Sequence, residues 1–355
     1  MDFAKAFDSV VCSKLLLKLE KYGIHGLTLN WIRDFLHDRS QRVRVEKSLS
    51  GSSSVLSGVP QGSVLGPLLF VIFINDICNS VCDNISIKLF ADDVKLYIAL
   101  CDTSSPKQLQ TAIDSIIKWS NAWQLTVSPT KCAVLSIGKR IKMYDYTINS
   151  TVIPRVNNFS DLGVIIDSSL TFEPHITSIC NKARQRAALI LKCFTSRKPK
   201  LLTRAFTTFV RPTLEYASCV WSPCNSHFIN MIESVQRNFT KKLSGMKNLS
   251  YSDRLSVLAI DSLEKRRLKS DLCMYYKILN AHIDLNVKDY FLFARTTCTR
   301  GHNFKLVKPI CCTNFHLNQF GIRCVNVWNA LSSNIVNASS VQVFKRLIST
   351  ANLSC

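Results

Sequence analysis

Two adjacent carboxylates, Asp92 and Asp93, stand in SIKLFADDVKLYIAL (residues 86–100) between two apolar, β-prone runs. Ile85, Ile87 and Leu89 alternate with polar residues before the pair, and Val94, Leu96 and Tyr97 follow it. That alternation predicts a hairpin with both acids at its tip. Asp is ordinary turn material, so a plain bend is one reading. A pair of hard oxygen donors for a divalent cation is the other. Two further polar groups sit at comparable places. Asp2, in MDFAKAFDSV, precedes the first helix, and Gln61, in SGVPQGSVLGP, lies on a turn flanked by Gly58 and Gly62. Alone, each is weak: an Asp before a helix is usually a cap, and a Gly-rich turn is usually only a turn.

The elements that must position these residues are legible as pattern. DSVVCSKLLLKLEKYG carries apolar residues at helical spacing and ends on Gly23, where a C-cap belongs. GLTLNWIRDFL predicts a second helix ending near His37, and QRVRVE alternates as a half-exposed strand with Arg42 and Arg44 on one face. The glycine-punctuated turn then launches an apolar helix ending near Cys82. That run is too short and too broken by Gly66, Pro67, Asn75 and Asp76 to span a bilayer. After the hairpin come an amphipathic helix, PKQLQTAIDSIIKWSNAWQL, and a strand, KCAVLSIG. Helix, helix, strand, helix, hairpin, helix, strand is an α+β order, with helices backing a small antiparallel sheet. From about Ser168 the segments turn helical and basic, as in HITSICNKARQRAALILKCF and LEKRRLKSDLCMYYKILN, and a short helix is expected in SVQVFKRLIS.

Charge follows the same division. Residues 1–100 carry 11 Lys+Arg against 10 Asp+Glu, whereas residues 101–355 carry 34 against 14. A near-neutral unit followed by a strongly basic one points to a polyanion partner, nucleic acid before membrane, because the basic residues spread over many helices. An apolar fraction of 47% excludes a disordered chain. No charged segment followed by an apolar one opens the chain, so an intracellular protein, cytoplasmic or nuclear, is expected. Fifteen cysteines cannot all pair, and most lie in apolar periodic segments as small hydrophobes. Cys298, His302, Cys311, Cys312 and His316 cluster within nineteen residues, but their spacing fits no standard zinc pattern.

Taken together and in this order, the Asp2, Gln61 and Asp92-Asp93 segments resemble motifs A, B and C of a reverse transcriptase. The resemblance is to the non-LTR (LINE-type) retrotransposon polymerases of the jockey and CR1 kind. KLLLKLEKYGIHGLTLNWIRDFLHDRSQRVRV is similar to that family's link between motifs A and B, WQLTVSPTKCAVL to motif D, and FSDLGVIIDSSLTFEPHI to motif E. RPTLEYASCVWSP, IESVQRNFTKKLSG and the C-terminal RCVNVWNALSSNIVNASSVQVFKRLI are similar to its thumb and distal region.

The resemblance implies a right-hand polymerase: a palm over residues 1–167, a basic α-helical thumb over 168–290, and a distal region over 291–355. It begins at motif A, so the fingers and any endonuclease domain are expected to be missing from this chain. It implies RNA-directed DNA synthesis, by in-line attack of a primer 3′-hydroxyl on a dNTP with two Mg²⁺ ions (or Mn²⁺) at the reacting phosphate. Asp2 and Asp92 would bridge the metals, with Asp93 as third acid and the Phe3 carbonyl assisting. Phe7 would be the steric gate against a 2′-hydroxyl, or else a core ring. Gln61 and Gly62 would meet the nucleotide or template, and Lys131 would reach the leaving phosphate or simply be solvated. Asp8 reads as structural, Tyr216 and Trp221 as core. Arg184, Arg186, Lys192, Lys241, Lys242, Arg266 and Arg267 could track phosphates. The partners implied are an RNA template, a DNA primer or target, and dNTPs. The alternative is a catalytically inactive remnant that binds nucleic acid through its basic helices.

Overall fold

The computed structural model of the protein describes residues 1–138, 144–294, 302–351 and 353. The chain divides into two compact units, Met1–Phe159 and Ser160–Cys355.

In the first unit, the helices Cys12–Lys21, Gly26–Leu36, Leu65–Ile74 and Ser105–Trp123 enclose one apolar core. Leu15, Leu19, Leu69, Phe70, Phe73 and Ile116 are each at most 2% exposed there, spaced three or four apart within their helices. The apolar helix is shorter than its run of residues: it ends at Ile74 and continues as a 3₁₀ turn, Asn75–Ser80, where Asn and Asp interrupt the apolar sequence. One flank of that helix stays in solvent, with Leu68 and Val71 exposed. Lys18 is the exception inside the core. Its ammonium meets the Asp76 carboxylate at 2.5 Å and lies 3.7 Å from the centre of the Trp123 ring.

The described strands pair two by two as small sheets. The principal pair is the hairpin Ser86–Phe90 with Asp93–Tyr97, in the register Ile87↔Leu96 and Leu89↔Val94. Its apolar side chains face the helices, and Ser86, Lys88, Phe90 and Tyr97 face outward. The QRVRVE strand is also broken. Arg39–Gln41 pairs with Ser53–Val55 and Arg44–Val45 with Ser48–Leu49, and residues 41–50 are all exposed. With no apolar layer behind it, the alternation has nothing to bury. KCAVLSIG supplies only Val134–Leu135, which pairs in parallel with Arg155–Val156.

The second unit is almost entirely helical. Glu173–Cys193, Pro199–Phe209 and Ser226–Lys241 pack around Ile176, Phe206, Trp221, Ile232 and Phe239. The helix Leu263–Leu279 contributes Leu263 to that core. Its later turns contribute Leu272, Tyr275 and Tyr276 to a second core, with Trp328 and the Phe344 ring of Val341–Thr350. The buried Glu233 carboxylate accepts the Leu263 and Glu264 N–H groups at 3.2 Å each, satisfying two donors at the start of that helix. Asp271 and Arg323 form a two-pronged pair at 2.8 and 2.9 Å.

Two sequence expectations change here. Tyr216 is 58% exposed, its hydroxyl donating to the Leu162 carbonyl, while Trp221 is in the core. Arg267 is buried at 3%, which removes it from the residues that could track phosphates. No helix among the described residues is long and apolar enough to cross a membrane.

Candidate active site

The short segment Met1–Phe3 holds the first acid by backbone hydrogen bonds on both of its sides. On one side, the Met1 nitrogen donates to the Val94 carbonyl at 2.6 Å and the Val94 N–H donates back at 3.2 Å, a rung of an antiparallel ladder. On the other, Phe3 bridges Val127, Ala4 N–H donates to Thr126 at 2.8 Å, and Ser128 N–H donates to the Asp2 carbonyl at 2.9 Å. Asp2 thus stands between the strand that opens with Asp93 and the segment that leads to Lys131. The Phe3 ring, 2% exposed, anchors this arrangement in the core against Trp119.

The hairpin differs from its sequence reading in one detail. Phe90 pairs with Asp93, so the turn is Ala91-Asp92 and Asp93 is the first ladder residue. Ala91 takes φ 50°, a left-handed conformation that costs a non-glycine residue energy. Lys5, just past the first acid, is left-handed as well, at φ 48°, and turns the chain into the 3₁₀ helix Ala6–Ser9.

Lys131, on the 3₁₀ turn Pro129–Lys131, places its ammonium 3.8 Å from Asp2 Oδ1 with both side chains partly in solvent. Cys132, 2% exposed, receives the Asp2 N–H at 3.4 Å.

The Gln61 turn packs directly on the residues after the first acid. Val59 N–H donates to the Phe7 carbonyl at 2.9 Å, Gly58 N–H to Val10 at 2.8 Å, and Ser57 Oγ to Asp8 at 2.7 Å. Gly58 has φ +86°, and a Cβ there would lie 2.7 Å from Asp8 Cα, so both conformation and space demand glycine. Arg39 clamps the same turn, donating to the Gly58 carbonyl at 2.6 Å and to Ser57 at 3.1 Å. Gln61 Nε2 donates to Asp8 Oδ1 at 2.8 Å. Gly62, at φ +83°, has open space around it, so its requirement is conformational. Phe7 stacks on Phe70 with centroids 4.2 Å apart, half-buried rather than sealed in the core.

The structure therefore brings Asp2 beside Asp93 and Lys131, and separately joins Gln61 to Asp8. Asp8 and Arg39 are the positioning groups that sequence reasoning left out of the site. Asp8 was visible beside the motif, but its partner lies 53 residues away. Carboxylates and a backbone carbonyl are the right donor type for a hard dication. Among the described residues, however, no group of three or more His, Cys, Asp or Glu side chains is gathered to hold a metal ion. The same holds for the C-terminal Cys/His cluster. Cys298 lies outside the described residues, and His302 is a buried ring whose Nε2 meets the Trp328 carbonyl at 3.1 Å. The described cysteines are free thiols.

Comparison with known proteins adds an independent observation. The family model of the reverse transcriptase (RNA-dependent DNA polymerase) matches residues 1–186. The chain is 29% identical over 256 residues to the RNA-directed DNA polymerase from mobile element jockey of Drosophila funebris, covering 69% of this chain and 28% of that protein. It is 28% identical over 257 residues to the probable RNA-directed DNA polymerase from transposon X-element of Drosophila melanogaster, with the same coverage. The probable RNA-directed DNA polymerase from transposon BS of the same fly is 27% identical over 268 residues. The chain thus spans little more than a quarter of the length of these relatives.

Proposed function

The chain belongs to the reverse transcriptase (RNA-dependent DNA polymerase) family, and from that premise we propose that it carries the catalytic acids of a retrotransposon RNA-directed DNA polymerase. The observation that carries this reading is the pair of backbone attachments of Met1–Phe3, which set Asp2 next to the hairpin bearing Asp92 and Asp93. Residues 1–167 would form the palm, 168–290 the thumb and 291–355 a distal region; the mixed helices and small sheets are compatible with that fold.

Reverse transcriptases typically work with divalent metals, and here Asp2, Asp92 and Asp93, with the Phe3 carbonyl, would hold two Mg²⁺ or Mn²⁺ ions. Such ions activate the primer 3′-hydroxyl and neutralise the leaving pyrophosphate. This chain's own residues then do the following. Lys131, beside Asp2, supplies positive charge where a leaving phosphate would gather negative charge. Phe7, held flat by Phe70, would present its ring to the sugar and exclude a 2′-hydroxyl. Gln61, oriented by Asp8, would contact the base pair being formed, with Gly62 giving the turn its conformation. The basic helices of the second unit would meet the RNA template and DNA primer through phosphates.

Primer extension on an RNA template with dNTPs and Mg²⁺ tests the proposal. Templated DNA synthesis that stops on chelation of the metal is the expected result. Salt-sensitive RNA binding without any extension would instead support the inactive, nucleic-acid-binding remnant.

A further inference from the structure

A cavity of about 490 Å³ lies wholly in the second unit, beside the helix Leu263–Leu279. Its cations are Arg266, Lys269 and Lys277 of that helix and Lys345 of Val341–Thr350. Successive spacings of three and eight residues put the first three on one helix face.

Two carboxylates also border the cavity, and each is already shared between two cations. Glu215 takes both prongs of Arg266 and lies 3.7 Å from Arg211. Asp261 lies 2.6 Å from Lys269 and 3.5 Å from Lys265. Lys277 and Lys345 have no carboxylate within ion-pair distance among the described residues. Counting only the groups that border it, the cavity has two more positive charges than negative ones.

Ser218, 1% exposed, also borders the cavity. We propose that this cavity is a binding site for a phosphate monoester, whose charge approaches −2 near neutral pH. A phosphodiester carries a single charge and matches the net charge less well. The residues that border it all belong to the second unit, and its occupancy is read without turnover.

Isothermal titration of the whole chain with methyl phosphate and with dimethyl phosphate tests it. Methyl phosphate should bind at least about tenfold more tightly than the dimethyl ester, a difference of one charge-assisted contact. The double variant Lys277→Met, Lys345→Met should lose about tenfold or more in affinity for methyl phosphate with an unchanged melting temperature, because neither side chain is in a core. Inorganic phosphate and a short 5′-phosphorylated oligonucleotide, titrated in parallel, distinguish a small ligand from a nucleic-acid end as the source of the group. Equal affinity for the two methyl esters, or undiminished methyl phosphate binding by the double variant, overturns the proposal.

Discussion

Gln61 Nε2 and Asp8 Oδ1 are 2.8 Å apart, joining the glycine-rich turn to the segment that carries the first acid. The backbone of the same turn closes on Phe7, Asp8 and Val10. The amide is therefore oriented by a charged acceptor rather than by packing, since both side chains are exposed. Asp8→Ala should raise KM for dNTP about threefold to tenfold, the worth of one such bond, while changing kcat little. Asp8→Asn, which keeps an acceptor oxygen, should restore most of it. Steady-state primer extension over a range of dNTP concentrations measures both, and equal KM values in all three proteins would remove Asp8 from the site.

Phe7 has a packing contact and a proposed role at the sugar, which one substitution can separate. Its stack on Phe70 stabilises the first unit, so Phe7→Ala should cost about 1–3 kcal/mol in denaturant unfolding. Its proposed contact with the sugar is read differently, as the ratio of dNTP to NTP incorporation. That ratio should fall by about tenfold or more, and Phe7→Tyr should keep it. A stable variant with unchanged selection would leave Phe7 as a packing residue only.

Lys131 meets Asp2 at 3.8 Å in a largely solvated setting, where an ion pair contributes little to stability, about 0–1 kcal/mol. Lys131→Ala should therefore unfold at nearly the same denaturant concentration as the parent. Its extension rate should nevertheless fall by about tenfold to a hundredfold, with the loss in kcat. A rate that stays within twofold contradicts a role at the leaving phosphate.

Lys18 is a stability residue rather than a catalytic one. It donates to the Phe73 carbonyl, pairs with Asp76, and lies over the rings of Phe73, Trp119 and Trp123. Lys18→Ala should cost about 2–4 kcal/mol, because it removes the side chain packed among the three rings and leaves the Phe73 carbonyl without its donor. Burial holds the Lys18 ammonium below its ordinary 10.5. The unfolded chain binds that proton more tightly than the fold does, so unfolding takes up protons. Stability should therefore rise with pH between the lowered folded value and 10.5. Melting temperatures of the parent and Lys18→Met across alkaline pH check the sign: the parent should gain relative to the variant, and a relative loss would contradict it.

The hairpin and the main helices are legible in the sequence because apolar periodicity survives wherever one face is buried, as in Ile87, Leu89, Val94 and Leu96. The position of Asp93 is not legible. A two-residue turn that begins with a left-handed Ala91 carries none of the Gly or Asn chemistry that marks such turns. The broken QRVRVE strand shows the converse, alternation without a layer to pack on. Arg39, two residues before QRVRVE, turns its guanidinium onto the carbonyls of Leu36, Ser57 and Gly58. Arg267 shows that a basic residue inside a basic helix can still be buried: it lies one turn after Leu263 on the face that Leu263 and Tyr275 bury, while its neighbour Arg266 pairs with Glu215. The Asp8–Gln61 bond joins two loops, and no local pattern records a contact of that kind.

The most direct test of the account compares primer extension and RNA binding in the full open reading frame that encodes this chain, for the parent, Asp2→Asn and Asp92→Asn. If these carboxylates hold the reacting metals, each substitution removes about a thousandfold or more of the extension rate and leaves RNA affinity within a factor of about two. Extension that persists at the parental rate in Asp92→Asn, with RNA binding intact, would contradict it.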